Sequence, residues 1–319
     1  MNVAVLIMAS DKEPSTSNLL AMNDTFINDT IQMMSSHILQ NNYDFFIYTL
    51  SGLRTDNKEY EVSTLCDHIN YIDIAGEESI YNTYEKTVTA LKVIGDNYDW
   101  IVRLNISAFL NIKLLDTAII SDVFDRYTVY CNAINSYIND ENYYNDLYPR
   151  GDFLIFSNTV RKGMLQHTDK YIRCDVDASH RISVPHVDDC LLGLCLIDFF
   201  GPRYYEHLQM IRYAFLPMYE NFDSMPIDDF AIASRVKTMP PDAKCSGYSW
   251  EENEWRKYDG TKMKYLNEHF KNIMYTGIDK HTLQTNIIDK GNTSRKTYGV
   301  CIQPMSIQQL TEQIKLKRG

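Results

Sequence analysis

Apolar residues enter this chain in short unbroken runs, and the stretches between those runs carry apolar positions three and four apart. Val3–Met8, Phe45–Leu50, Ile69–Ile74 and Trp100–Leu104 each have the length and continuity of a strand buried on both faces. Pro14 and Ser15–Ser17 punctuate the end of the first run, and Ser51-Gly52 closes the second. Between them, from about Asn18 to Gln40, the positions Leu19, Phe26/Ile27, Ile31, Met34 and Ile38 fall on helical spacing. A second stripe, Ile80, Tyr84, Val88, Leu91 and Ile94, predicts a helix that Ser79 caps and Gly95 ends. This alternation predicts an α/β fold: a Rossmann-type parallel sheet with helices on both faces and right-handed crossovers.

The rhythm changes beyond residue 111. Thr128–Cys131 and Asp152–Ser157 have strand character, with a loop rich in Tyr, Asn and Asp (137–149) between them. Arg161–Lys170 suits a helix, and a polar stretch follows that passes into the apolar CLLGLCLIDFF. From about Met225 the pattern is irregular, broken by Pro226 and Pro240-Pro241, until Ser306–Lys317 suits a terminal helix. The expected organisation is one domain over 1–225, with halves of about 1–111 and 112–225, and an irregular C-terminal extension over 226–319. No internal repeat or low-complexity tract is present.

Composition narrows the classes of function. Lys and Arg total 31 against 42 Asp and Glu, a net charge of −11. That balance disfavours nucleic acid or an anionic membrane surface as the main partner, and leaves room for a small phosphate-bearing ligand held by a local cluster of donors. The opening MNVAVLIMASDK has too short an apolar run, and no basic residue before it, for a signal peptide or a membrane span. The seven cysteines include Cys66, Cys131, Cys190 and Cys195, are odd in number and form no CxxC, so reduced buried thiols in a cytoplasmic compartment are the expectation.

Several chemistries are excluded by what is missing. No GxGxxG follows the first strand, which disfavours a nicotinamide or flavin site, and no GxxxxGK[ST] supports a P-loop. HExxH, GxSxG and the kinase signatures are absent too. An open α/β sheet must then hold its ligand by another device at the carboxyl ends of its strands.

Three stretches in order carry a resemblance. They are Arg103-Leu-Asn105-Ile-Ser107-Ala-Phe109-Leu-Asn111, Tyr148-Pro-Arg-Gly151-Asp152-Phe-Leu-Ile-Phe-Ser157, and Val184-Pro-His-Val-Asp188-Asp189-Cys-Leu-Leu-Gly193. Together they resemble the GT-A-fold nucleotide-sugar glycosyltransferases of the β-1,3-galactosyltransferase and fringe type. Those enzymes have a strand ending in a DxD motif, then a Gly-rich strand, then an acidic pair followed by Gly. The resemblance spans roughly residues 1–220 and implies a GT-A-like fold. It also implies a nucleotide-sugar (UDP-type) donor, a glycan or other hydroxyl acceptor, and transfer with inversion. By position it implies Asp189 as general base, with Asp188 the alternative. Donor contacts would come from Ala9, Ser10, Asp73, Arg103, Asn105, Ser107, Gly151 and Asp152. The nucleotide base is expected over the end of the first strand near Ala9-Ser10-Asp11, and near Asp44–Leu50 or Asp73. Assembly of a bacterial or viral glycan in the cytoplasm would be its setting.

The chain departs from that pattern at one place. Sugar transfer needs the leaving diphosphate stabilised, for which DxD aspartates usually hold Mn²⁺ or Mg²⁺. Here Asn105 and Ser107 stand in their place, an amide and a hydroxyl, which are poorer ligands for a hard dication. Three outcomes stay open. A divalent metal is held weakly by Asn105, Ser107 and the diphosphate, with His207 as a further ligand. Or Arg103 or another cation replaces it. Or the site has lost catalysis and only binds. Arg103 also has a structural reading as a paired buried arginine, Asn105–Ser107 as an ordinary turn, and Asp188-Asp189 as helix-capping acids. The literal Asp175-Val-Asp177 is a rival metal motif, His167, His180 and His186 are further histidines, and Trp250, Trp255 and Tyr258 suit packing or a sugar platform. The alternative function is a catalytically inactive nucleotide-sugar or glycan-binding module of the same fold. A sugar-phosphate nucleotidyltransferase lacks support because its Gly/Lys-rich N-terminal loop is missing. Oligomeric state, donor sugar and linkage are not written in the sequence.

Overall fold

The computed structural model describes residues 1–9, 39–50, 52, 58–76, 82–137, 146–171, 187–215, 227–236 and 257–289. The first half contains β1 (Asn2–Met8), β2 (Asn42–Leu50), β3 (Tyr60–Cys66), β4 (Ile69–Ile74), α1 (Thr83–Val93), β5 (Trp100–Asn105), β6 (Ala108–Leu110) and α2 (Ile112–Ile120). Then come β7 (Val129–Cys131), β8 (Ile134–Tyr137), β9 (Asp146–Pro149), β10 (Phe153–Ser157), α3 (Asn158–Leu165) and α4 (Val187–Phe200). The remainder adds β11 (Leu208–Met210), β12 (Tyr213–Phe215), β13 (Ala233–Arg235), α5 (Lys257–Lys271) and α6 (Lys280–Ile287).

Eight strands form one sheet in the order β11-β7-β10-β5-β1-β2-β4-β3. Strands β1, β2, β4, β5, β7 and β11 run parallel, while β10 and the edge strand β3 run against them. The apolar runs are continuous because both faces are covered. On β1, Val3, Val5 and Ile7 enter a cluster with Leu114, Leu115 and Ala118 of α2 and with Leu283 and Ile287 of α6. Ala4 and Leu6 face the other way, onto Tyr84, Val88 and Leu91 of α1, Val160 of α3 and Leu192 and Leu196 of α4. The expected α/β sheet with helices on both faces is therefore what the chain forms.

Two helices pack unusually close on the second face. A Cβ at Gly163 in α3 would overlap the Phe199 ring of α4, and one at Gly193 would lie 2.5 Å from Cβ of Tyr148 on β9. Glycine at these positions lets α4 settle against α3 and β9, which fixes where the amino end of α4 sits. A second, three-stranded sheet in the order β12-β13-β6 lies beyond β5. Lys113 ties α5 to this body by donating to the carbonyls of Phe270, Lys271 and Ile273 at 2.5–3.3 Å. Asn111 both caps α2, accepting from Leu114 N at 3.2 Å, and donates to the Tyr275 hydroxyl at 2.9 Å.

Some expectations meet a different outcome. Asn105–Ser107, read as an ordinary turn, does lead from β5 into β6 through Ile106 and Ser107, but Ser107 is buried and its carbonyl accepts from Val236 N at 2.9 Å. The third helix begins at Asn158 because the Ser157 hydroxyl caps it on Val160 N, and a separate 3₁₀ turn (Thr168–Lys170) follows. Cys131 and Cys195 are buried free thiols, and burial pushes the Cys195 thiol up to about 11, whereas Cys66 is exposed on the edge strand. No helix among the described residues is long and apolar enough to cross a membrane. Ser10, most of the Asn18–Gln40 stripe, Asp175–Asp177, His180, His186, Trp250, Trp255 and Ser306–Lys317 lie outside the described residues, as does the Tyr258 side chain.

Candidate functional site

Strand order reverses between β1 and β5: chain order climbs from β1 through β2 to β4 on one side, and β5 lies on the other. A crevice opens at the carboxyl ends of the strands at such a reversal. Ala9 follows β1 and Asn105 ends β5, and Met8 is paired directly with Asn105. Asp73, next to last on β4, pairs with Thr49 of β2. It therefore lies on the same edge as Asn105, three strand spacings or about 14 Å across.

Three separate stretches converge at this edge. The first supplies Arg103 and Asn105 from β5. The second supplies Gly151 and Asp152, which lead into β10, and Asn105 N donates to the Asp152 carbonyl at 3.3 Å. The third supplies Asp189 from the first turn of α4. A Cβ on Gly151 would overlap the Asp189 carboxylate and stand 2.6 Å from Nη1 of Arg103. Only a residue without a side chain lets the carboxylate and the guanidinium approach this backbone together. Arg103 is buried along its length, its Nε donating to the Tyr48 hydroxyl at 3.4 Å and its Nη2 to Sδ of Met8 at 3.2 Å. We expect Gly151→Ala to cost about 1–3 kcal/mol by overpacking, since Asp189 or Arg103 must move. Urea unfolding would measure it, and a stability equal to the parent's would show that the site accommodates the methyl.

Asp152 is the most strongly held carboxylate here. Its Oδ1 accepts from Arg235 Nη1 of β13 and from Nδ2 of Asn105 at 3.3 Å, and Nε of Arg150 lies 2.8 Å from its Oδ2. Burial alone would raise its pKa, but the guanidinium charges of Arg235, Arg150 and Arg103 outweigh that and hold it at about 2. The Tyr213 hydroxyl of β12 is buried beside this cluster, and burial together with the Asp152 charge drives it well above the usual range. Asn105 must turn its amide nitrogen to Asp152, because an ionised carboxylate only accepts. Its Oδ1 is thereby left buried with no hydrogen-bond donor among the described residues.

These residues do not fit a divalent metal. A hard cation needs oxygen ligands carrying negative charge. The two carboxylates at this edge each lie against guanidinium groups, Asp152 beside Arg235 and Arg150 and Asp189 beside Arg103, and Asn105 adds only a neutral amide oxygen. No group of three or more His, Cys, Asp or Glu capable of holding a metal occurs among the described residues. His207 is far from this edge. It precedes β11 at the amino end of the sheet, where its Nδ1 lies 2.8 Å from the Tyr127 carbonyl and its ring stacks on Phe200. The His207 ligand expected from chain order is thus separated from Asn105 and Ser107 by the length of the strands. Asp44 likewise sits at the amino end of β2, bound to His68 and Tyr98, while Leu50 ends β2 at the carboxyl edge.

Arg103, Asn105, Gly151, Asp152 and Asp189 are brought together; Ala9 and Asp73 line the same edge; Asp188 precedes Asp189 in α4. Two further residues of the cluster had no role assigned from the sequence. Arg150 stands inside the second quoted stretch, where its place beside the Gly-Asp step was the available signal. Arg235 arrives 83 positions after its partner Asp152, from a segment with no periodic pattern, so no local signal marks it.

No protein-family model and no curated protein matches this sequence. Among solved structures, the chain is similar to the galactosyltransferase LgtC in complex with donor and acceptor sugar analogues, at 11% identity, covering 85% of this chain and 98% of that one, with a TM-score of 0.43. It is also similar to an active-site mutant of LgtC at 14% identity, covering 81% and 95%, with a TM-score of 0.41.

Proposed function

We propose that this protein is a GT-A-like glycosyltransferase that moves a sugar from a nucleoside diphosphate donor to a hydroxyl acceptor with inversion. The observation that carries the reading is the packing of Gly151 against Asp189 and Arg103. It joins three sequence stretches, quoted for their resemblance to one enzyme class, at the one sheet edge where ligands of open α/β sheets bind.

In this reading Asp189 takes the proton of the acceptor hydroxyl as its oxygen attacks the anomeric carbon. The bond from that carbon to the diphosphate oxygen breaks, and the diphosphate leaves with the electron pair. Asn105 Oδ1, a buried acceptor without a donor among the described residues, suits a sugar or ribose hydroxyl. Gly151 keeps backbone close to the sugar where a side chain would block it. Ala9 and Asp73 frame the edge on which a nucleotide base and ribose would lie.

A thermal-shift panel of nucleotide sugars tests this. A donor present at 100 times its Kd stabilises the folded state by about 2.7 kcal/mol, which moves the melting point by several degrees. We expect one base and one sugar class to stand out, and that compound to be hydrolysed slowly without an acceptor. Binding without hydrolysis or transfer to any acceptor would favour the inactive binding module instead; no shift with any nucleotide sugar would sink both.

A further inference from the structure

Leaving diphosphate needs positive charge at its oxygens, and although the edge around Asn105 carries two carboxylates, Asp152 and Asp189, both already lie against arginines. The edge does not lack positive charge. Arg150 and Arg235 converge on one carboxylate, Asp152, from separate elements: Arg150 from the loop before β10, Arg235 from β13 of the small sheet. Arg103 and Asp189 add one charge of each sign beside Gly151.

The charge balance has a definite sign. A divalent cation gripped by two carboxylates is neutral overall. Here two guanidiniums against Asp152 leave one net positive charge, and Arg103 and Asp189 cancel. Adding a dication to this cluster would place it among three arginines, which charge repulsion opposes. An anion is the species that this field attracts.

Accessibility separates the two arginines. The Arg235 side chain is 15% exposed and braces Asp152 from within, whereas the Arg150 side chain is 41% exposed. Arg150 places Nε 2.8 Å from Asp152 Oδ2 and keeps a partly exposed guanidinium whose two outer nitrogens have no partner among the described residues. A guanidinium fork matches two oxygens of one phosphate. Asp152 fixes the direction of that fork before any ligand arrives.

We infer that Arg150, held by Asp152 and backed by Arg235, is a built-in cationic anchor that takes the diphosphate of the donor without a divalent metal. The identity of the anion as a donor diphosphate rests on the glycosyltransferase reading above; the preference for a phosphate anion over a metal ion does not. Specificity would then lie in the metal requirement: chelators leave the site intact, and salt weakens it by screening.

Calorimetric titration of the full chain separates these claims, with inorganic pyrophosphate in EDTA and UDP in EDTA or Mn²⁺ as probes. We expect both anions to bind in EDTA and Mn²⁺ to change UDP affinity by no more than about twofold. Arg150→Gln should weaken both by about tenfold or more, the loss of a charge-assisted fork, and Arg150→Lys should recover part of it. Circular dichroism would establish that each variant is folded. The anchor is refuted if pyrophosphate fails to bind in EDTA, if UDP binds only with Mn²⁺, or if folded Arg150→Gln binds like the parent. Pyrophosphate binding in EDTA with no nucleotide sugar bound would uphold the anchor and remove the glycosyltransferase reading. Nucleotide-sugar turnover that requires Mn²⁺ would do the reverse.

Discussion

Asp189→Asn should lower sugar transfer by about 10²–10⁴-fold, the usual contribution of a positioned general base, and leave donor affinity within about twofold of the parent. The substitution keeps size and shape at the first turn of α4 and removes only the ability to take a proton. Asp189 is half-buried against Gly151, and Arg103 stands beside the same backbone. The measurement is turnover of the donor identified by thermal shift, paired with titration of that donor. A variant as active as the parent would dismiss Asp189 as the base. Asp188→Asn is the companion: if it alone silences transfer, the base lies one residue upstream.

The separation between what could be anticipated and what could not follows burial and contact distance. Strands β1, β2, β4 and β5 announce themselves because both faces are buried, and an unbroken apolar run is the signature of that environment. Edge strand β3 does not: Tyr60, Glu61, Val62, Ser63 and Thr64 are all exposed, so neither face forces an apolar pattern. Strands β6, β12 and β13 have three residues each, too short for any period to show. The same limit hides Arg235, whose role depends on β13 lying antiparallel to β6, a pairing between residues more than 120 positions apart. The meeting of Gly151 with Asp189 joins two stretches that the sequence singled out only through their resemblance to one enzyme class. Only glycine tolerates that approach.

Ser107 illustrates the opposite error. A polar step after an apolar strand suggests an exposed turn, since Asn and Ser favour turns. The turn exists, but β13 and Val236 cover it, and Ser107 spends its carbonyl on Val236. Asn105 answers its amide nitrogen within the protein, on Asp152, and leaves its Oδ1 unsatisfied among the described residues. The step builds the passage from the large sheet to the small one and thereby brings Arg235 to Asp152.

Asp152→Ala should destabilise the fold by about 3–5 kcal/mol, the cost of leaving a buried charge uncompensated. Both arginines would lose their shared partner, Arg235 the more seriously because it is the more buried of the two. The double variant Asp152→Asn with Arg235→Gln should recover part of that loss, because it removes the stranded charge together with its partner. The same ion cluster makes stability fall in acid. The Asp152 carboxyl titrates near 3.8 when unfolded and at about 2 when folded. A group with a depressed folded pKa contributes its full stabilisation above the unfolded value and loses it as pH falls through the folded one. The window is therefore about pH 4 down to pH 2, and the contribution on the order of 2 kcal/mol. Urea midpoints at pH 7, 4 and 3 for parent and for Asp152→Asn would measure it. The parent should lose stability between pH 4 and 3 more steeply than the variant, which has no carboxyl to titrate there. Parallel curves would mean that Asp152 is not held by Arg150 and Arg235, and with that the fixed direction of the Arg150 fork would go too.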